Sequence, residues 1–310
     1  MSAFIFQGAG TVFRKYLENL DAKTFESLEK RCKLASKETG MDVFNYIRTG
    51  SAKDWDEELL DQIVIYTINC CIFETYIAYG YIPRYLLAYS MGIYSALASG
   101  GAYGYEDGLR LVIKAYECMK RSMGALAGGM ASVIGLNRKD IEHLIGILGA
   151  KEKVEIVNEN NEYSIVVSGI KKYVEVLMEM ATEEGALKVL TIKTNIAYHS
   201  KFISGALGDF EEYVNGLKLK HLKFPIISSI RQNIVKNDMD VRNELCLNLK
   251  SPLSWRNTIE KACSLGVCNF LEVGLGASLT RVSAFNSSQS EFLSYKKIIE
   301  ENKEWNENLA

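Results

Sequence analysis

The sequence predicts an α/β fold in which a large domain with a parallel sheet carries a smaller, inserted subdomain. Short apolar runs that stop at glycine or serine alternate with longer helical patterns, which is typical of parallel strands connected by helices. Between about residues 124 and 195 the pattern changes to strands and helices in the order β-α-β-β-α-β. The 310 residues are enough to bury a substantial core.

The first predicted element is a strand. The first ten residues form a short apolar run that stops at two glycines, which predicts a buried strand followed by a tight loop. Residues 12–48 are helical and charged in pattern. Residues 55–80 are apolar on nearly every face, so we expect a helix that its neighbours bury. Tyr85–Ala88 is predicted as a strand, followed by a turn and another helix.

The inserted subdomain is predicted over residues 124–195, and the large domain over residues 1–123 and 196–310. The strands of the subdomain are expected at Met130–Leu136, Val154–Asn158, Tyr163–Ser168 and Leu187–Lys193, and its helices at Lys139–Leu148 and Lys171–Thr182. This order of elements is that of a ferredoxin-like subdomain.

The large domain is expected to resume with a helical stretch that ends near Gly216 and a buried strand at residues 224–230. We interpret the residues from there to Asp240 as a linker. A helix containing residues 251–266 and a last strand at residues 269–273 follow. The charged C-terminal tail is expected to be a frayed helix.

The composition is that of an ordinary soluble enzyme. The net charge is −2 and both signs are interspersed, so the sequence predicts neither a nucleic-acid face nor a membrane surface. No apolar run approaches the roughly 20 residues of a membrane-spanning helix. The N-terminus lacks the basic start of a signal peptide. We therefore expect a cytoplasmic protein.

The seven cysteines are odd in number and mostly lie within apolar patterns. This favours free, buried thiols in a reducing compartment over a disulfide framework. Cys263 and Cys268 have the wrong spacing for a zinc site and no histidine nearby, so we expect no metal.

Ser90 is the candidate nucleophile. It follows a predicted strand, precedes a predicted helix, and has the small residues Ala88 and Gly92 two positions away on either side. A sharp turn between strand and helix needs such small flanking residues and exposes the serine hydroxyl. The N–H of Met91 opens the helix, has no partner within it, and could stabilise an oxyanion. A serine that only caps the helix is the alternative.

The base that activates a serine must come from the three histidines of the chain. His143 lies in a predicted helix of the inserted subdomain, where we expect a surface or cap role, and His221 lies in a charged segment, where we expect it to be solvated. His199 directly follows a strand-like run, at a strand end where catalytic side chains are often placed. It is therefore the best candidate, and a bystander histidine is the alternative.

Four separated stretches resemble one known family. They are "FIFQGAG", "AYSMGIYSALASGGAYGYEDGLRLV", "TNIAYHSKFI" and "FLEVGLGASLT". In order and spacing they are similar to the malonyl-CoA:acyl-carrier-protein transacylases and the acyltransferase domains of polyketide synthases. The resemblance covers nearly the whole chain. It implies a large α/β-hydrolase-like domain with the ferredoxin-like insert, in a divergent, stand-alone member that acts in trans.

Carried over by position, the resemblance implies that Ser90 accepts the acyl group and His199 is the general base. The backbone N–H groups of Met91 and Ala9 would form the oxyanion hole. A backbone carbonyl would orient the histidine, and the matching position is Ser251. The implied substrate pocket includes four further residues, which are Gln62, Tyr89, Tyr198 and Ala115.

The chain departs from the family at the position of Ala115. Malonyl-specific members carry an arginine there, which binds the free carboxylate of the malonyl group. A methyl group cannot do so, and we expect a preference for acyl groups other than plain malonyl. The alternative is that Lys114, Arg121 or another cation reaches in instead. One helical step turns a side chain by about 100°, so Lys114 should point elsewhere.

The resemblance implies an acyltransferase that works through an acyl-Ser90 intermediate. It would bind no permanent cofactor, and its substrate would be a phosphopantetheine thioester of CoA or of an acyl carrier protein. The acyl carrier protein is the expected partner, in polyketide or related biosynthesis. One alternative is an acyl-carrier-protein hydrolase that edits stalled chains. Another, of a different class, is a homologue without catalytic activity that only docks carrier proteins.

Overall fold

The computed structural model describes residues 1–10, 12–203, 205 and 207–307, and the side chains up to residue 302. Its strands are β1 (Ser2–Phe6), β2 (Tyr85–Ala88), β3 (Gly128–Ile134), β4 (Val154–Asn161), β5 (Ser164–Ile170), β6 (Lys188–Ile192), β7 (Ile226–Ile227), β8 (Ile234–Val235), β9 (Asn269–Val273) and β10 (Glu291–Leu293). Its α-helices are α1 (Ala22–Thr39), α2 (Val43–Thr49), α3 (Glu57–Ala78), α4 (Gly92–Gly100), α5 (Tyr105–Met123), α6 (Arg138–Ile147), α7 (Lys171–Glu183), α8 (Leu207–Gly216), α9 (Asp238–Lys250), α10 (Trp255–Ser264), α11 (Ser278–Ala284) and α12 (Tyr295–Glu307).

The larger sheet has the strand order β10-β9-β1-β2-β7-β8. All its pairs are parallel except β7 with β8. Side chains of β1 alternate between two cores: Phe4 and Phe6 join the cluster that contains α3, whereas Ala3 and Ile5 join the one that contains Trp255 of α10. The carboxyl ends of the parallel strands therefore meet at one edge of a sheet that is covered on both faces.

The smaller sheet has the antiparallel order β4-β5-β3-β6. Helices α6 and α7 pack on one of its faces, around a core that includes Ile141, Val167 and Leu177. The predicted fold class, a parallel sheet with a βαββαβ unit of ferredoxin-like order, is confirmed. The exact domain boundaries at residues 124 and 195 stay a prediction.

Several elements differ from the prediction, and β8 (Ile234–Val235) is one of them, since it lies in the expected linker. Residues 238–250 form α9, where we expected a linker and then unassigned chain, although an Asn237–Asp240 capping box marks its start. The buried face of α9 carries Glu244 and Asn248 among its apolar residues, which hides the helical pattern. Strand β4 runs on to Asn161, and β10 was not predicted.

The cysteines agree with the expected free, mostly buried thiols. All seven cysteines are free, and four of them are buried: Cys32, Cys70, Cys71 and Cys118. Burial raises the pKa of the Cys71 thiol to about 11, which keeps it protonated and inert. None of the described helices combines the length and apolar character needed to cross a bilayer.

The turn after β2 packs directly against the loop after β1. The N–H of Tyr89 donates to the carbonyl oxygen of Phe6 at 3.0 Å. A Cβ on Gly92 would lie 2.6 Å from that same oxygen and 2.8 Å from the carbonyl oxygen of Gln7, and a Cβ on Gly8 would lie 2.5 Å from the carbonyl oxygen of Tyr89. Only glycine fits at these two positions, because backbone atoms cannot move aside as a flexible side chain can.

Substituting Gly92→Ala should therefore lower the free energy of unfolding by about 1–3 kcal/mol, because the new methyl group forces the two segments apart. The matched control is Gly146→Ala in α6, where an added Cβ meets nothing within 4 Å. That variant should be neutral or slightly more stable, since alanine favours a helix. Urea denaturation measures both, and equal stability of the two variants would contradict the packing argument.

Candidate active site

Ser90 lies on the sharp turn between β2 and α4. Its φ is +54°, a left-handed conformation that is rare and strained for a residue with a Cβ. The strand before it is buried, and the N–H of Gly92 closes the turn by donating to Tyr89 O at 2.9 Å. The predicted elbow is thus present, and it presents a half-buried serine at the carboxyl edge of the larger sheet.

The imidazole ring of His199 forms hydrogen bonds to Ser90 on one side and to the C-terminal end of α9 on the other. Its Nε2 lies 2.7 Å from Ser90 Oγ, and its Nδ1 lies 2.7 Å from the carbonyl oxygen of Asn248. A carbonyl oxygen can only accept, so Nδ1 carries the proton and donates it. Nε2 is then the unprotonated nitrogen that accepts the hydrogen bond from the Ser90 hydroxyl.

The backbone also holds His199 in place. Its φ is +60°, which is uncommon for a histidine, and its N–H donates to the carbonyl oxygen of Leu249 at 3.2 Å. His199 is only 6% exposed, and this burial lowers the pKa of its imidazole from 6.5 to about 4, against the opposing hydrogen bond to Asn248. The imidazole is therefore neutral near pH 7.

The prediction that Ser251 orients the histidine is wrong. The N–H of Ser251 donates to Leu247 O, and the carbonyl that accepts from His199 belongs to Asn248, three residues earlier. The physical reason is the end of α9: the last four carbonyls of a helix have no partner within it. The Asn237–Asp240 capping box was the available signal, because it places this segment in a helix that ends at Lys250.

Two backbone N–H groups beside Ser90 are free to bind an oxyanion. Within the described ranges, neither Met91 N nor Ala9 N has a hydrogen-bond partner. Met91 follows Ser90 and begins α4. Ala9 follows Gly8, whose Cα packs so closely that an added Cβ would lie 3.1 Å from Ser90 Cβ. Met91 is thus adjacent to the serine and Ala9 to the glycine that packs on it, and their role as an oxyanion hole stays a prediction.

The loop that carries Ala9 is anchored through Gln7, a residue that the sequence did not single out. The Gln7 side-chain amide donates to the buried carboxylate of Glu272 and to the carbonyl oxygen of Leu275. Glu272 also accepts from the N–H groups of Leu279 and Thr280 at 2.9 and 2.8 Å, at the start of α11. This buried network connects the loop after β1 to the end of β9.

Three of the predicted pocket residues lie on α3, α5 and the segment before His199. Gln62 is 2% exposed, and its Nε2 donates to the Tyr198 hydroxyl at 2.9 Å. The ring centroids of Tyr198 and His199 are 6.4 Å apart. Ala115 is fully buried on α5, within the same apolar cluster as Met91.

Tyr89 has a different environment. Its hydroxyl donates to Asn160 Oδ1 at 2.8 Å and accepts from Asn158 Nδ2 at 2.8 Å, both on β4. Its ring meets Trp255 edge-on, at 5.5 Å between centroids. The side chain therefore links the elbow to the smaller sheet, and its pocket role stays a prediction.

Comparisons with known proteins identify the family. Residues 3–298 match the family described as acyl transferase domain. A malonyl CoA-acyl carrier protein transacylase of Bacillus subtilis is 26% identical over 282 residues, which cover 90% of this chain and 88% of the relative. Polyketide biosynthesis protein ThaF of Burkholderia thailandensis is 27% identical over 90% of this chain, which spans 24% of that longer protein.

Solved structures show the same fold. A solved malonyl-transacylase in complex with a type II polyketide synthase acyl carrier protein superposes with a TM-score of 0.87. The two sequences are 23% identical, and the match covers 94% of this chain and 95% of that one. The resemblance stated from the four sequence stretches is confirmed, and the chain belongs to the acyl transferase domain family.

Proposed function

We propose that this chain transfers an acyl group from a thioester, on CoA or a carrier protein, to an acyl carrier protein through an acyl-Ser90 intermediate. The observation that carries the proposal is the 2.7 Å contact between Ser90 Oγ and His199 Nε2, at a strained elbow beside two free N–H groups. Membership of the acyl transferase domain family supports the reaction class.

In the first half-reaction, Ser90 Oγ attacks the thioester carbonyl carbon while its proton passes to His199 Nε2. The carbonyl oxygen becomes an oxyanion, which the N–H groups of Met91 and Ala9 bind. The intermediate collapses with cleavage of the C–S bond. The departing thiolate takes the proton from Nε2, and the acyl group remains on Ser90 as an ester.

In the second half-reaction, the thiol of the acceptor carrier attacks that ester. His199 Nε2 takes the thiol proton and returns it to Ser90 Oγ as the C–O bond breaks. Throughout, the Asn248 carbonyl accepts from Nδ1–H and holds the ring in the reactive tautomer. The C-terminal end of α9 also stabilises the transient imidazolium, because its carbonyls carry partial negative charge.

We propose that the acyl group does not end in a carboxylate. Ala115 offers no cation, and its neighbours on α5 do not replace one. Lys114 and Arg121 line an open depression on the outer face of α5 together with Glu117 and Lys120, and Arg121 pairs with Asp209 at 2.9 Å. A malonyl carboxylate left unpaired beside Ser90 should cost several kcal/mol.

The names of the relatives support an acyl carrier protein as the acceptor of the acyl group. The Bacillus subtilis relative is named for malonyl-CoA and acyl carrier protein, and ThaF for polyketide biosynthesis. The structurally similar malonyl-transacylase is bound to an acyl carrier protein. We therefore propose an acyl carrier protein as partner of this chain, in polyketide or related biosynthesis.

The apolar residue at position 115 is also compatible with a second candidate function, hydrolysis of the acyl-Ser90 ester. The apolar Ala115 also suits an editing hydrolase, which must accept neutral acyl groups and in which water attacks the acyl-Ser90 ester. A homologue without catalytic activity that only docks carriers would not need the Ser90–His199 contact.

Intact-protein mass spectrometry separates these functions. After incubation with acetyl-, longer acyl- or malonyl-carrier protein, we expect an acyl adduct that Ser90→Ala abolishes, and that decays faster when free acceptor carrier is added. An adduct that decays equally fast without acceptor would indicate the hydrolase. The absence of an adduct with every donor would contradict both catalytic functions.

The rate of Ser90 acylation should stay nearly constant at mildly acidic pH. Because the pKa of His199 is lowered to about 4, its Nε2 stays unprotonated as the pH falls from about 8 to about 5, and the rate should decline only as the pH approaches 4. Rapid-quench single-turnover measurements give this profile, with circular dichroism as the control for folding. Half-maximal rate near pH 6.5 would contradict the lowered pKa.

A further inference from the structure

Tyr198 connects the candidate active site to a carboxylate that the proposed mechanism does not use. Its hydroxyl donates to Glu58 Oε1 at 2.8 Å and accepts from Gln62 Nε2 at 2.9 Å. Burial raises the pKa of Tyr198 well above its ordinary value, so the phenol keeps its proton and remains the donor. The three side chains form a continuous row that begins beside His199.

Glu58 is a carboxylate without a direct ion-pair partner among the described residues. It lies half-buried in the first turn of α3, where the helix dipole favours a negative charge, and Gln62 follows one turn later on the same face. Its neighbours Asp56 and Glu57 pair with Lys120 and Lys193. Burial raises the pKa of Glu58, against the opposing hydrogen bonds of Thr194 and Tyr198 and the nearby charge of Lys120.

Asp56, the residue that caps the start of α3, contacts α5 at the position next to Ala115. The Tyr116 hydroxyl donates to Asp56 at 2.8 Å. Burial, this hydrogen bond and the nearby charge of Glu58 together raise the pKa of Tyr116. The first turn of α3 therefore faces α5 where the side chain of Ala115 has replaced the expected cation.

We propose that Glu58 is a specificity-determining residue that rejects acyl groups ending in a carboxylate. The inference rests on the proposed acyl transfer to Ser90. An acyl carboxylate placed along Tyr198 would meet a like charge in a partly desolvated pocket, with no cation at Ala115 to offset it. A neutral acyl group in the same place carries no charge for Glu58 to repel. Two effects thus disfavour an acyl carboxylate: it has no cation to bind at Ala115, and Glu58 repels it.

The test compares loading of Ser90 by malonyl-CoA and acetyl-CoA, followed by intact-protein mass. Glu58→Gln removes the charge but keeps an oxygen that accepts from Tyr198. It should raise the malonyl-to-acetyl ratio of loading rates about tenfold, equivalent to about 1.4 kcal/mol. The matched control Glu57→Gln removes one charge from the adjacent, exposed position, and should leave the ratio within about twofold.

A ratio unchanged in Glu58→Gln, with acetyl loading intact, would overturn the inference and leave the proposed function standing. Equal effects of the two substitutions would also overturn it, because the response would then be one of general charge. Failure of both thioesters to load Ser90 in every variant would overturn the proposed function and the inference with it.

A second readout does not depend on turnover. In the Ser90→Ala background, calorimetry measures the affinity for malonyl-CoA and acetyl-CoA directly. Glu58→Gln should raise the affinity for malonyl-CoA about tenfold relative to that for acetyl-CoA. Combining it with Ala115→Arg should raise the affinity for malonyl-CoA further. Ala115→Arg alone should raise the affinity for malonyl-CoA by a smaller factor, because the Glu58 carboxylate then competes with the malonyl carboxylate for the new guanidinium. Equal gains from Ala115→Arg with and without Glu58→Gln would contradict this competition.

Discussion

The candidate site depends on the hydrogen bond that His199 Nδ1 donates to the carbonyl oxygen of Asn248. This contact decides which ring nitrogen carries the proton, and so which one can accept a proton from Ser90. The acceptor is a backbone group at the end of α9 that its own helix leaves without a partner. A carbonyl has no full charge, and it therefore offsets the burial of the imidazole only in part. The result is an imidazole that is neutral over a wide pH range and ready to act as a base.

The proposed nucleophile, Ser90, depends on a second constraint, the backbone contact between the segments after β1 and β2. Gly8 and Gly92 let carbonyl oxygens approach where any side chain would collide. The contact brings the loop of Ala9 against the strained elbow of Ser90. The buried Gln7–Glu272 network then fixes that loop to the end of β9. The proposed oxyanion donors are thus set by backbone packing, so their positions can persist while the surrounding side chains change.

Much of this arrangement was predictable because its signals are local. The strand Tyr85–Ala88 was predicted to the residue, since an apolar run before a serine and a helical pattern leaves little choice. The close contact of Ser90 with His199 followed from elimination among three histidines and from the family resemblance. Asn248 was missed because its role lies in a backbone carbonyl, which any residue type supplies. Glu58 and Gln7 were missed because a buried polar side chain gains meaning only from partners far away in the chain.

The central claim is that a neutral His199 activates Ser90, and it can be tested without knowing the natural acyl group. The measurement is the rate of labelling by a serine-directed fluorophosphonate, with the labelled peptide identified by mass spectrometry. We expect a single label on Ser90 and a loss of labelling rate of about 100-fold or more in His199→Ala. A label on another residue, or an unchanged rate in His199→Ala, would contradict the account.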